Sequence, residues 1–333
     1  MRMMGHVARG IALLLVLPLF ALAAPPVQPT PRFPSEFAQH TITEVFGSPT
    51  DLAWLGADLL IASQEGWVYR LADADPAGSP QQILDVSARV GKGPEQGLLG
   101  VIPDPDFAEN RFMYVYYTRA RDSGHCDVLP ANCHNRVARF TMGADGTLDP
   151  ESELPLIDSI LVGSLHNAGD LAFGPDGEPY VSTGDAGYWP NSQDLGNLNG
   201  KILRIDRDGA PAAGNPFSAE GVDCRTPQQG ESKRPCAQIF AFGLRNPFRI
   251  AFDPNVLGSR FFINDVGQAG WEEVNVGAAR ANYGWPGREG PCPPGAVDAC
   301  PPQMDFVEPI YTYAHESGCF AITGGAFVPQ ASS

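Results

Sequence analysis

SLHNAGDLAFGPDGEPYVSTGDAG, residues 164–187, carries the clearest local fold signal in the chain. Two short runs of strand-forming residues, 170–173 and 179–183, flank the turn sequence GPDG at 174–177. A Pro-Asp-Gly turn between such runs predicts a β-hairpin, because proline presets φ and glycine accepts a positive φ. A lone histidine, His166, precedes the first run. Since β-scaffolds commonly keep their chemistry at strand ends and loops, this hairpin is predicted to border a functional site.

Part of this stretch recurs along the chain. The phrases GVIPDPDF, AFGPDGE and AFDPNVL stand near residues 101, 173 and 252, about 75 residues apart, and each leads into another strand-like run. Blade repeats usually span about 40–50 residues, so the spacing implies inserted loops or degenerate blades. The recurrence favours a β-propeller, in which only short, protected strand edges remain. Two packed β-sandwiches are the alternative, although they do not explain the repeated phrase.

Composition supports an all-β domain and excludes one class of partner. Hydrophobic residues make up 43% and charged residues 18% of the 333 residues, and 37 glycines with 32 prolines indicate many turns. The net charge is −16, and no basic stripe is present, which argues against a nucleic-acid partner.

The N-terminus has the pattern of an export signal. Arg2 and Arg9 precede an apolar run at 11–22, and the small-x-small sequence ALA follows at 21–23. The run is too short for a typical membrane span. We therefore predict a signal peptide over 1–23, an extended Pro-rich lead-in over 24–41 and a propeller domain over 42–333. The protein is predicted to be exported, periplasmic or secreted, without stable membrane insertion; an uncleaved anchor is the alternative.

Cysteine spacing agrees with export. Three close pairs lie in Pro- and Gly-rich segments and predict disulfides: Cys126–Cys133, Cys224–Cys236 and Cys292–Cys300. Their spacings match no usual zinc pattern. Cys319 is left unpaired.

Six phrases, in a fixed order, resemble the soluble pyrroloquinoline-quinone (PQQ) sugar dehydrogenases of the glucose/sorbosone dehydrogenase family. The resemblance covers about residues 42–328 and is carried by EQGLLGVIPDPDF (95–107), HNAGDLAFGPDGEPYVSTGD (166–185), GKILRID (200–206), FGLRNPFRIAFDP (242–254), DVGQAGWEEVN (265–275) and NYGWPGREG (282–290). It implies a six-bladed β-propeller with PQQ and calcium as cofactors. It also implies a sugar substrate and a separate electron acceptor.

The resemblance also assigns site residues. His166 matches the base that takes the proton of the sugar's anomeric hydroxyl, and Arg245 matches an arginine beside the PQQ carbonyls. The implied cofactor contacts are Asn246, Gln96 or its neighbour Glu95, Asp185, Tyr283 and Trp285. Calcium is expected at the backbone carbonyls of Val266 and Gly267, with Glu273 near them.

Several features depart from the family pattern. Leu165 stands where glucose-type members carry an acidic residue, and Val266-Gly267 replaces a Gly-Pro pair. The family's basic residues that hold the PQQ carboxylates lie in the last blade, beyond Ser333. The sixth blade is therefore expected to be incomplete, with strands near 310–313 and 321–328, and the cofactor site to be present on one side only.

Two functions follow from these observations. The leading one is an exported PQQ-dependent dehydrogenase that oxidises an aldose to a lactone, with histidine as general base; histidine as a residue type titrates near neutral pH. The phrases DVGQ and NYGW also resemble the hedgehog-interacting branch of the superfamily. The alternative is therefore a non-catalytic propeller that binds a carbohydrate or a protein. The polar segment 191–199 is interpreted as an ordinary loop.

Overall fold

The recurring phrases mark the first strands of separate β-sheets. The computed structural model describes residue 42 and residues 47–120, 126, 133–226, 234–292 and 305–330. Within these ranges sixteen strands form four antiparallel sheets of four strands each. The strands are β1 Pro49–Leu55, β2 Asp58–Ser63, β3 Trp67–Leu71, β4 Gln81–Asp85, β5 Leu98–Pro103, β6 Phe112–Ala120, β7 Cys133–Thr141, β8 Leu154–Ile160, β9 Leu171–Phe173, β10 Pro179–Thr183, β11 Lys201–Arg204, β12 Ile239–Phe242, β13 Pro247–Phe252, β14 Phe261–Asp265, β15 Trp271–Val276 and β16 Tyr311–Ala314.

Helical structure in the described ranges is limited to single turns. One short α-helix, α1, spans Phe107–Asn110. The 3-10 turns are Ala72–Ala74, Pro150–Ser152, Trp189–Ser192 and His315–Ser317.

The sheets are the blades of a β-propeller. Each sheet is built from four consecutive strands, and the first strands β1, β5, β9 and β13 contact one another in succession. They line a central cavity of about 1790 Å³, together with residues 323–326. Apolar clusters fill the space between sheets: Leu60 and Val115 join the first pair, Tyr114 and Val181 the second. Tyr180 and Phe261 belong to the cluster between the third and fourth sheets.

The prediction of six blades is wrong for the described residues, which form four. The recurring phrase opens sheets two, three and four, so its spacing of about 75 residues is the length of the second and third repeats; the first is shorter, since β1 begins at Pro49 and β5 at Leu98. Long connections lengthen the later sheets, such as the one between β11 and β12 and the one between β15 and β16. These loops, rather than degenerate blades, account for the spacing.

Two strand assignments near the C-terminal end also change. Residues near 310–313 were expected to begin a last blade, but Tyr311–Ala314 is the outer strand of the fourth sheet and pairs with Trp271–Val274. Residues 321–328 form no strand. They lie against the fourth sheet instead, where the ring of Phe327 is centred 4.6 Å from that of Phe262. The structure therefore places no incomplete blade in this part of the chain.

The predicted hairpin is confirmed as β9 and β10. Its turn is closed by a hydrogen bond from the N–H of Gly174 to the carbonyl of Glu178, at 2.9 Å. Gly177 adopts φ +79°, which explains why the turn needs glycine there. The strands β4 and β8 were not predicted. Both are outer strands in which two exposed residues precede a buried pair, so neither shows the alternation that reveals a strand.

Two disulfides are confirmed, Cys126–Cys133 and Cys224–Cys236, and Cys319 is an exposed free thiol. The third predicted pair includes Cys300, which lies outside the described residues, as do the predicted signal peptide and the Pro-rich lead-in. None of the helices in the described ranges has the length and apolar character needed to cross a membrane.

Buried charges join the first strands around the centre. Asp51 accepts a hydrogen bond from Val101 N–H (2.9 Å), and Asp170 accepts one from Ile250 N–H (2.6 Å), so each carboxylate holds a neighbouring sheet. Arg249 lies 3.8 Å from Asp51 and 3.9 Å from Asp170. Burial, and then the negative charge of Asp170, raise the pKa of Asp51 to about 7, with Arg249 acting in the opposite direction. The junction is therefore sensitive to pH.

We expect Asp51→Asn to change how stability depends on pH. Because the folded-state pKa of Asp51 lies near 7 and the unfolded value near 3.8, the folded state binds more protons between these limits. The stability that Asp51 contributes is complete below pH 3.8 and is lost as pH rises through 7. Denaturant unfolding at pH 5 and pH 8 should show the variant gaining stability relative to the parent at the higher pH. A difference between the two proteins that does not change with pH would contradict this assignment.

Candidate active site

His166 lies in the loop between β8 and β9 with its imidazole held at one nitrogen. Nδ1 is 2.7 Å from Oδ1 of Asp185, and the side chain is 14% exposed. Since an ionised carboxylate only accepts hydrogen bonds, Nδ1 carries the proton and Nε2 is left as an acceptor. No described residue forms a hydrogen bond with Nε2. The ring is therefore arranged to accept a proton at Nε2.

Asp185 joins three parts of the site through one buried carboxylate. Oδ1 accepts from His166 and from Gly187 N–H (2.8 Å), and Oδ2 accepts from Trp285 Nε1 (2.9 Å). Its own N–H donates to the carbonyl of Arg245 at 2.8 Å. Asp185 is 1% exposed, so these contacts replace its hydration. The carboxylate thus fixes the histidine, the tryptophan and the arginine backbone relative to one another.

The loops of the site approach one another closely and adopt uncommon backbone conformations. His166, Ala168 and Ala186 have positive φ values of 59°, 50° and 61°. Such conformations in non-glycine residues are costly and often occur at functional sites. A Cβ on Gly184 would lie 2.0 Å from the carbonyl oxygen of His166, so only glycine permits this approach.

Arg245 and Asn246 are fixed by the end of strand β14. Asp265 accepts the backbone N–H groups of Arg245 (3.0 Å) and Asn246 (2.7 Å). Burial, and then the negative charge of Glu273, raise the pKa of Asp265 well above its usual value. The guanidinium of Arg245 donates from Nη1 to the carbonyl of Val266 (2.8 Å) and lies 5.7 Å from the Trp285 ring. Its Nε is buried without a partner in the described structure.

Glu95 and Gln96 reach the histidine loop from before β5. Glu95 Oε2 accepts the backbone N–H of His166 at 2.5 Å, and Gln96 Nε2 donates to the carbonyl of Gly163 at 2.9 Å. Gln96 is 1% exposed, and its Oε1 has no described partner. Among the described residues three buried side-chain polar atoms have no partner: the acceptor Gln96 Oε1, the donor Arg245 Nε and, on β15, Asn275 Oδ1. PQQ carries both carbonyl and N–H functions and so offers a suitable partner for a donor and for an acceptor.

One of the two predicted calcium-binding carbonyls already accepts a hydrogen bond. The carbonyl of Val266 accepts from Arg245, whereas the contact at Gly267 is made by its N–H, which donates to Glu272. Four N–H groups of residues 268–271 converge on Oε1 of Glu289, at 2.8–3.1 Å. Burial acts to raise the pKa of Glu289, but these donors outweigh it and the pKa lies below its usual value. The loop is thus arranged around a carboxylate.

Calcium at the carbonyls of Val266 and Gly267 stays a prediction from the family resemblance. Calcium prefers six to eight oxygen ligands. The oxygens of Glu273 accept from Gly290 N–H (2.6 Å) and Asn275 Nδ2 (3.0 Å). The described ranges contain no cluster of three or more His, Cys, Asp or Glu side chains able to hold a metal ion. No step of the chemistry below depends on calcium.

Tyr283 lies away from the other predicted residues. It is 2% exposed, within the apolar cluster of the third and fourth sheets, and its hydroxyl donates to the carbonyl of Val276 at 2.7 Å. Burial raises its pKa. Trp285, two residues further on, does reach the site. The structure therefore unites His166, Asp185, Arg245, Asn246, Gln96, Glu95 and Trp285, whereas it places Tyr283 in the core.

Sequence reasoning missed Asp265 and Lys201 as parts of this arrangement. Asp265 ends a strand-like run about 20 residues after Arg245, a signal that could have indicated its contact with the arginine loop. Lys201 offers no such signal, since its contacts are with backbone carbonyls of a loop.

Four-stranded sheets around a central axis, with polar loops converging at strand ends, define a β-propeller with a candidate site built from loops. The family model described as Glucose / Sorbosone dehydrogenase matches residues 46–331, and the chain belongs to this family.

The similar proteins include some that are named as enzymes and others that are not. Quinoprotein glucose dehydrogenase B of Acinetobacter calcoaceticus is 28% identical over 84% of this chain and 60% of its own. HIPL1 protein of Arabidopsis thaliana is 30% identical over 77% of this chain and 43% of its own. The PQQ-bound aldose sugar dehydrogenase of Streptomyces coelicolor is a similar solved structure, with a TM-score of 0.65, 31% identity and coverage of 83% of this chain and 70% of that one. The chain spans about half the length of the curated relatives it matches.

We expect Gly184→Ala to destabilise the protein by about 1–3 kcal/mol, the usual cost of overpacking, because its Cβ would collide with the backbone of His166. Gly324→Ala is the matched control, since its Cβ would meet nothing closer than 3.7 Å. Thermal and denaturant unfolding of both variants provide the measurement. Equal stability of the two variants would show that this close approach does not constrain the site.

Proposed function

We propose that the chain is an exported, PQQ-dependent dehydrogenase that oxidises the anomeric hydroxyl of an aldose to a lactone. The observation that carries the proposal is the His166–Asp185 pair, with Nε2 available, next to the unpartnered polar atoms of Arg245 and Gln96. Membership of the glucose/sorbosone dehydrogenase family supports a sugar oxidoreductase. The disulfides support export.

The protein groups have separable roles in this reaction. His166 Nε2 takes the hydroxyl proton, and Asp185 keeps the proton on Nδ1 and stabilises the imidazolium that forms. When bound, PQQ supplies the quinone that accepts the hydride from the sugar carbon, and a separate electron acceptor regenerates it. Arg245 supplies a fixed positive charge for oxygen atoms that become negative during the reaction.

Burial and rigidity explain why these groups can act without rearrangement. Asp185 is almost fully buried, and Trp285 Nε1 occupies its second oxygen, so the carboxylate has one orientation. Asn246 Oδ1 accepts the N–H of Ala168 at 3.1 Å and thereby ties the arginine loop to the histidine loop. Such preorganisation contributes to catalysis because no dipoles need to reorient when charge develops. Calcium remains a prediction from the family resemblance.

We expect His166→Gln to lower turnover by roughly 10²-fold or more while leaving PQQ affinity nearly unchanged, because glutamine removes the base but keeps a polar side chain. His134→Gln is the matched control: His134 also pairs with an aspartate, Asp158, but lies on strand β7. Dye reduction with a panel of aldoses measures turnover, and PQQ titration measures affinity. Turnover of the His166 variant at the parent rate would rule out this base.

We expect Arg245→Met to weaken PQQ binding by about 30-fold, equivalent to about 2 kcal/mol, because a buried charge partner of the cofactor is removed. Arg139→Met is the control: its guanidinium also lies over an aromatic ring, 4.0 Å from the centre of Phe112, but it pairs with Asp208 elsewhere. Titration with PQQ followed by absorbance gives the affinity. Unchanged affinity in the Arg245 variant would remove the arginine from the cofactor site.

If the parent protein binds no PQQ and reduces no dye with any sugar, the proposed reaction is wrong. Direct binding of carbohydrate or of a protein ligand by the same protein would then favour the non-catalytic propeller.

A further inference from the structure

Lys201 is a fully buried lysine that forms no ion pair among the described residues. It stands at the start of β11, directly opposite Thr183 of β10. Its Nζ donates to three backbone carbonyls, those of Asn191 (2.7 Å), Ser192 (3.1 Å) and Asn199 (2.5 Å). A buried ammonium group is costly unless its donors are satisfied, and here three N–H donors meet three acceptors.

The carbonyl of Asn191 connects Lys201 to His166 through two further hydrogen bonds. Asn191 belongs to the 3-10 turn Trp189–Ser192, and its Nδ2 donates to the carbonyl of Asp185 at 2.9 Å. Asp185 in turn holds Nδ1 of His166. The position of Asn191, fixed by Lys201, therefore supports the residue that orients the proposed base.

The carbonyl of Ser192 connects Lys201 to the segment that precedes Arg245. The carbonyl of Ser192 also accepts the N–H of Gly243 at 3.0 Å, and Ser192 Oγ donates to the carbonyl of Leu244 at 2.7 Å. These two residues immediately precede Arg245 in the chain. The same ammonium thus supports the loop that presents the guanidinium.

We infer that Lys201 is a positioning residue that holds the His166–Asp185 pair and the Arg245 loop in register through the carbonyls of Asn191 and Ser192. The inference rests on the proposed function for its catalytic consequence, but its structural consequence is measurable without PQQ or sugar. Loss of the ammonium leaves three buried carbonyls without their shared donor, so the loop 191–199 must rearrange.

Charge, and not only size, is needed at this position. Burial lowers the pKa of Lys201 to about 7, while the negative charges of Asp194 and Asp185 act to raise it. Only the charged form offers three N–H donors; the neutral amine offers two. Methionine matches the length of lysine but donates nothing, so Lys201→Met removes the anchor without leaving a large cavity.

The test compares three variants by a cofactor-free signal and by PQQ affinity. The signal is the proton resonance of the His166 Nδ1–H bonded to Asp185, assigned by its absence in His166→Gln. Lys201→Met is expected to lose or shift this resonance and to weaken PQQ binding roughly 10-fold. Turnover should fall by about 10- to 100-fold, the scale expected for a small misplacement of reacting groups.

Two further variants separate the two connections. Asn191→Ala removes the bond to Asp185 and a long bond accepted from Asn197 (3.5 Å), so it should change the histidine resonance and turnover but keep PQQ affinity. Ser192→Ala removes only the bond to Leu244, so it should weaken PQQ binding but keep the resonance. These variants also decide the matter if Lys201→Met does not fold.

Asn215→Ala is the control for a simple loss of stability. The buried Asn215 Nδ2 donates to the carbonyls of Arg204 (2.7 Å), at the other end of β11, and Ala237 (2.9 Å). It should lower the melting temperature and leave the histidine resonance unchanged. A folded Lys201→Met with the parent resonance, or an Asn191→Ala and Ser192→Ala pair that behave alike, would overturn the inference. Failure of the sugar reaction in the parent protein, with these resonance changes present, would reject the proposed function alone.

Discussion

The architecture of the candidate active site depends on the buried carboxylate of Asp185. A carboxylate that is 1% exposed must have its oxygens satisfied by protein donors, and the available donors are His166, Gly187 and Trp285. Each of these residues comes from a different segment of the chain. Satisfying one buried charge therefore brings His166, the turn after β10 and the loop of Trp285 to one place.

The propeller supplies the rigid ends on which these loops rest. The first strands of the sheets are held to one another by Asp51, Asp170 and Arg249, and Gly100 permits the close approach of the Gly169 carbonyl, which a Cβ would meet at 2.2 Å. The loops of the candidate site are fixed by hydrogen bonds between their backbone and the side chains of Asp265 and Lys201. One is a buried acid that holds N–H groups, and the other a buried base that holds carbonyls.

Local signals in the sequence were enough to predict the hairpin at 170–183, two disulfides and the propeller class, since each depends on turn chemistry, close spacing or repetition. The grouping of His166, Asp185, Arg245 and Gln96 came from ordered phrases shared with a family. The number of blades was not predictable, because one repeat includes long loops that hide its boundaries. Tyr283 was assigned to the cofactor site from the phrase NYGW alone, but its ring is buried in an apolar cluster. The anchor at Lys201 was missed because its partners are backbone carbonyls brought close only by folding.

Anaerobic reduction of protein-bound PQQ by an aldose deuterated at the anomeric carbon tests the central claim most directly, because it reports the hydride step at this site alone. Stopped-flow absorbance of the quinone, with protiated and deuterated sugar, gives the rates. If His166 is the base, the sugar reduces the bound quinone, deuterium slows the reduction, and His166→Gln slows it further with either sugar. A protein that binds PQQ but leaves it oxidised in the presence of every aldose, or reduces it at a rate independent of His166, would contradict the account.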